Sequence, residues 1–162
     1  MAIRNIRVKG DPILKLKSRR VERFDGRLCT LLDDMRETMY RADGCGLAAV
    51  QVGVLKRVVV IDVGDGPIEL INPEIVETRG EQMEAEGCLS MPGESGITLR
   101  PQYVRVCAQN RAGDVCEFEG EDLLARAFCH EIDHLDGILY TRRLAPKDAL
   151  DRIRQQHSET EG

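Results

Sequence analysis

The sequence predicts an α+β fold, with mixed or antiparallel β-sheets packed around a central C-terminal helix. Three observations carry that expectation. A helical apolar stripe lies early in the chain. Short strand-like runs joined by turns fill the middle, and a second helical stretch bearing His130-Glu131-Ile132-Asp133-His134 lies near the end. Strands joined by turns, without helical crossovers between them, favour antiparallel pairing with the helices set apart.

Asp11-Pro12 marks an early turn. Asp25 can cap a helix running to about Arg41, because Leu28, Leu31, Leu32, Met35 and Met39 recur at three- and four-residue spacing. Asp43-Gly44 ends it, the glycine supplying a left-handed C′ residue. Residues 44–53 are rich in small side chains and contain Gln51. Residues 57–62 hold Val58-Val59-Val60-Ile61, which reads as a buried strand. A turn at 64–67 leads to a strand at 68–71, and Pro73 is expected to break the chain before a third short strand at 74–78. Residues 80–96 read as irregular, with a short strand at 97–100. Residues 103–109 alternate Val104, Val106 and Ala108 against Arg105, Cys107 and Gln109, and pair with 115–119 as a hairpin that Gly120 ends. Residues 121–135 form the helix with the histidines, and Gly137 follows its end. A last amphipathic segment spans 147–157, and a polar tail begins at about 158. No repeat or linker divides the chain, so residues 1–162 are expected to be one domain.

With 162 residues, 42% of them hydrophobic and 31% charged, the chain is large enough to bury a core unaided. A net charge of −5 argues against broad binding to DNA or to an anionic membrane. No apolar run is long enough to span a bilayer, and the first residues lack the apolar core of a signal peptide, so a cytoplasmic location is expected. The six cysteines form no C-x-x-C pair and read as reduced thiols.

His130 and His134 stand one helical turn apart on one face and can grip a single divalent ion. Glu131 lies beside such an ion and can take a proton from water and return it to a leaving group. Catalytic sites of this kind usually have three protein ligands, with one position left for water. Asp136, two residues past His134, points away from the histidine face. Cys129 lies about 100° round the helix from His130. Cys45 and Cys88 both sit among glycines, which permit close backbone approach, and geometry alone leaves the choice between them open.

Three segments, residues 44–51 (Gly-Cys-Gly-Leu-Ala-Ala-Val-Gln), 86–90 (Glu-Gly-Cys-Leu-Ser) and 130–137 (His-Glu-Ile-Asp-His-Leu-Asp-Gly), resemble the three signature motifs of the peptide deformylases in order and spacing. Residues 11–14, 71–73 and 100–101 resemble the family's connecting segments, so the resemblance covers nearly the whole chain. It implies a hydrolase that removes the N-formyl group from the formyl-methionine of nascent polypeptides. It further implies Cys88, His130 and His134 as metal ligands and Glu131 as the acid–base. Gln51 and the Leu89 N–H would polarise the formyl oxygen, and Gly46 would bond the substrate backbone. Cys45, Ala127 and Phe128 are candidates to line the methionine slot. Ferrous iron is the implied native ion, with zinc or nickel able to use the same ligands; zinc is what the donor set alone suggests. The expected partners are formyl-methionyl nascent peptides and, transiently, the ribosome. Glu86 and Ser90 are expected to bond backbone or order the surrounding loop, and Asp133 to share that structural role, to stand behind the metal ligands or to be solvated.

Two positions depart from the family pattern: Val50 replaces a common proline, and Cys129 replaces a common glutamine. Cys129 is expected to offer a route to oxidative inactivation. Two other readings of the site are a zinc endopeptidase and a non-catalytic module with a structural metal closed by four protein ligands.

Overall fold

The computed structural model describes residues 2–152. Helix α1 spans Gly26–Arg41, followed by strands β1 (Gly46–Ala48), β2 (Val58–Ile61), β3 (Ile68–Arg79), β4 (Gln82–Cys88), β5 (Met91–Arg100), β6 (Tyr103–Gln109) and β7 (Val115–Glu121), and then helix α2 (Asp122–Leu135). Short 3-10 turns occupy Pro12–Lys15, Ala49–Val52 and Tyr140–Arg143. Residues 147–152 are helical; the remainder of the expected 147–157 segment and the polar tail lie outside the described residues.

The α+β expectation holds, and the strand pairs of both sheets are antiparallel. Five strands form one sheet in the order β1-β2-β3-β6-β7, and β4 and β5 form a separate two-stranded sheet. Helices cover both faces of the large sheet. Val59 and Ile61 of β2 join Leu70, Val104, Val106 and Ala108 against Ala125, Phe128, Ile132 and Leu135 of α2. Val58 and Val60 point the other way, into Leu28, Leu31, Leu32, Met35 and Met39 of α1. That sandwich is why four consecutive apolar residues in β2 are all buried.

The Asp25 side chain caps α1 by accepting from the Leu28 N–H at 3.1 Å. The left-handed residue after α1 is Asp43 (φ 55°), not Gly44. Gly44 is instead required by space, since a Cβ there would lie 2.6 Å from Leu89 Cδ1.

Three further expectations are corrected. Pro73 does not break the chain: β3 runs through it, with a register shift between Ile71 and Glu74 and a left-handed Asn72 (φ 52°). A bulge is where a strand tolerates a residue that cannot donate. Residues 80–96 are not irregular but build most of the β4–β5 hairpin. Gly120 does not end its strand; it pairs with Val104, and a Cβ there would collide with Leu124 of α2.

Candidate metal centre

Helix α2 presents His130, Glu131 and His134 on a buried face, 9%, 3% and 1% exposed. The two imidazoles meet edge to face with centroids 4.9 Å apart. Cys88 arrives from the last position of β4, where the register with β5 shifts after Gly87. Its Sγ lies 3.2 Å from His134 Nε2. The sulfur and one nitrogen from each histidine all lie within 4.8 Å of one another. Among the described residues, Cys45 and Cys129 do not join this cluster.

His130 is held by groups behind it, whereas His134 Nδ1 is buried with no hydrogen-bond partner among the described residues. Glu86 Oε2 meets His130 Nδ1 at 2.6 Å, which leaves Nε2 to face the centre. Glu86 in turn accepts from Thr98 Oγ1 at 2.9 Å and from the Arg100 guanidinium at 2.7 and 3.2 Å. Arg100 also donates to Asp133 at 2.7 Å, and Asp133 accepts from Arg143 at 3.0 Å. Burial alone would raise the Glu86 carboxyl, but the bonds from His130 and Arg100 outweigh it and hold it at about 2. Glu86 and Asp133 therefore belong to a charged network behind the histidines, which for Asp133 is one of the expected roles. The Tyr140 ring stacks on His130 at 6.2 Å.

The electrostatics suit a cation. Burial pushes His134 down to about 3, which favours the neutral imidazole that could hold a metal. Burial also opposes charge on His130, yet Glu131, Cys88 and Glu86 overcome it and lift that group well above its ordinary value. Positive charge is thus favoured where the three donors converge. A thiolate with two imidazoles is a donor set for zinc, ferrous iron or nickel.

Glu131 sits against this cluster without belonging to it. Burial pushes its carboxyl up to about 7, in the range that suits proton transfer near neutral pH. Its Oε1 is buried with no hydrogen-bond partner among the described residues. Gln51, 1% exposed, lies in the turn after β1. Its Oε1 accepts from the Ala48 N–H at 2.9 Å, and its Nε2 donates to Ser90 Oγ at 3.0 Å while facing Cys88 Sγ at 3.6 Å.

A cavity of about 340 Å³ opens onto the cluster, within the size range of small-molecule sites. Cys45, Gly46, Cys88, Leu89, Ala127 and Glu131 line it, with Leu123 and Arg126. Phe128 does not: it is fully buried against the large sheet. Leu123 and Arg126 were not anticipated. They stand seven and four residues before His130, so extending the histidine face backwards along the helix would have found them. Cys129 also differs from expectation. It is 6% exposed, and burial pushes its thiol up to about 11, both of which disfavour the thiolate that oxidation requires.

An α+β scaffold that converges one cysteine and two histidines beside a buried glutamate, at the end of an open cavity, defines a metal-dependent hydrolase with one divalent-ion site. The family model for polypeptide deformylase matches residues 3–149, and the chain belongs to the peptide deformylase family, whose members remove N-formyl groups from formyl-methionyl peptides. It is 61% identical to the peptide deformylase of Alkaliphilus metalliredigens over 144 residues, 89% of this chain and 98% of that one. It is 60% identical to that of Acetivibrio thermocellus over 158 residues, 96% and 93% of the two chains. The crystal structure of peptide deformylase from Thermotoga maritima superposes with a TM-score of 0.88 at 44% identity, covering 90% of this chain and all of that one. No helix among the described residues is long and apolar enough to cross a membrane.

Proposed function

We propose that Cys88, His130 and His134 hold the divalent ion, that Glu131 carries the proton, and that Gln51 and the Leu89 N–H bind the formyl oxygen as charge develops on it. When bound, the ion supplies Lewis acidity, which lowers the pKa of water and polarises a carbonyl. Glu131 takes the proton of the attacking water and delivers it to the departing amine nitrogen. Its near-neutral carboxyl, free at Oε1, supports both transfers. The Gln51 amide donates without titrating, and its Nε2 is directed to the same side as the Cys88 sulfur. Gly46 offers its main chain to the substrate backbone, and Cys45 and Ala127 form part of the slot for the methionine side chain. Ferrous iron is the native ion in this reading, with zinc and nickel as replacements. The substrates are formyl-methionyl nascent chains, met transiently at the ribosome, and residues 1–162 act as one catalytic domain.

The observation that carries the reading is the convergence of three donor atoms within 4.8 Å beside a separate buried carboxylate. A structural metal module would need a fourth protein ligand, and an endopeptidase would need to accept blocked internal peptide bonds. The test is metal content and formate release on anaerobically purified protein. About one ion per chain, formate from a formyl-methionyl peptide and no cleavage of a blocked, internally labelled peptide are expected. The Cys88→Ala variant is expected to lose both metal and activity. Full metal retention in that variant would transfer the third ligand to another residue.

A further inference from the structure

Ser90 is fully buried in the turn between β4 and β5. Its main-chain carbonyl accepts from the Lys9 N–H at 2.7 Å, and that bond, which braces the turn, does not involve the side chain. The side-chain oxygen does something separate: it accepts from Gln51 Nε2 at 3.0 Å. The opposite end of the same amide is anchored where the Ala48 N–H meets Oε1 at 2.9 Å.

We propose that Ser90 is a positioning residue for deformylation, holding one N–H of the Gln51 amide so that the other stays aimed at the formyl oxygen. The inference rests on the role assigned to Gln51 above. The Ala48 N–H decides which end of the amide is oxygen, but one anchor does not fix its tilt, because a terminal amide torsion is broad. Nε2 also donates to Cys88 Sγ at 3.6 Å, so the hydroxyl and the sulfur share the amide donor in the absence of substrate, and the hydroxyl limits how far the amide tilts to the sulfur. With the hydroxyl removed, the amide pivots about Oε1 towards the sulfur, and its catalytic N–H is drawn from the path of the substrate. Ser90 is thus a second anchor that keeps the amide donor available, and preorganised donors of this kind lose most of their effect when misdirected.

The test is a double-mutant cycle in the metal-loaded enzyme. Gln51→Ala should lower kcat about 100- to 1,000-fold, the usual loss for one oxyanion donor. Ser90→Ala should lower kcat about tenfold, equivalent to about 1.4 kcal/mol, with KM and metal content little changed. Adding Ser90→Ala to Gln51→Ala should cost nothing more, and Ser90→Thr, which keeps the hydroxyl, should recover most of the rate. In zinc-loaded protein the side-chain amide resonances of Gln51 should shift in Ser90→Ala and remain near the parent positions in Ser90→Thr. An equal loss from Ser90→Ala in both backgrounds would make it a brace for the turn and overturn the proposal. So would an unchanged kcat in Ser90→Ala alongside an impaired Gln51→Ala. An unimpaired Gln51→Ala would remove the Gln51 assignment itself, and this proposal with it.

Discussion

The backbone of Gly46 packs directly against the Glu131 carboxylate: a methyl group at position 46 would lie 2.5 Å from Oε2 and 2.9 Å from Cδ. The glycine is required by proximity and not by backbone conformation. Gly46→Ala must therefore displace the carboxylate, and misplacement by about 1 Å can cost on the order of 100-fold in rate. A fall in kcat of that size is expected, with metal content unchanged. A parent-like kcat would show that the carboxylate position is not critical.

Glu131 has no part in the donor triad, so its removal should separate chemistry from metal binding. Glu131→Ala is expected to lose at least about 100-fold in turnover, as general acid–base groups do, and to retain its ion. Near-normal deformylation by this variant would overturn the assignment.

Glu86 fixes the ring of His130 through a 2.6 Å contact. Partners of this kind typically contribute about 10- to 100-fold to metal affinity. Glu86→Gln is expected to weaken metal binding within that range in a competition titration with a coloured chelator. An unchanged affinity would reduce Glu86 to a partner for Arg100.

The ligand helix was legible because its signal is local. Two histidines four apart need only helical geometry to share a face, and the apolar stripe of α1 follows the same period. The β4–β5 hairpin was not legible, because few of its side chains are buried, Met91 alone of those is apolar, and its sequence lacks the alternation that a half-buried sheet imprints. Arg100 was also invisible as a site residue. Its partners Glu86 and Asp133 lie 14 and 33 residues away, and only the fold brings them together. Pro73 misled because its tolerance depends on a bulge made with a strand 30 residues further along.

Asp34 ties the start of the described chain to α1. It accepts from the Ala2 N–H at 2.7 Å and from Arg4 Nε at 3.0 Å. The Ala2 bond, helped by Arg4 and opposed by burial, holds its carboxyl below the ordinary value. A depressed folded pKa means that the stabilisation is complete above the unfolded value of about 3.9 and is lost as pH falls through the lower folded value. Asp34→Asn should lower stability by about 1–3 kcal/mol at neutral pH. The gap to the parent in urea titrations should close as the medium is acidified below about pH 3.9. A gap independent of pH would show that the charge contributes nothing.

Cys129 is buried, and burial raises its thiol to about 11. Sensitivity to peroxide follows thiolate character and access, so Cys129→Ala should inactivate at the parent rate. Protection by this substitution would contradict the burial argument.

Arg100 has a wider consequence. From β5 it reaches Glu86 on β4 and Asp133 on α2, riveting the small sheet that supplies the sulfur to the helix that supplies the nitrogens. A denatured chain scatters those donors, so ion capture and folding become one linked equilibrium. At a free ion concentration 1,000 times the dissociation constant, the linkage adds about 4.1 kcal/mol to stability. Thermal resistance is accordingly expected to follow the ion supply around the protein, with a lower midpoint in a melting curve recorded with a chelator than in one recorded without.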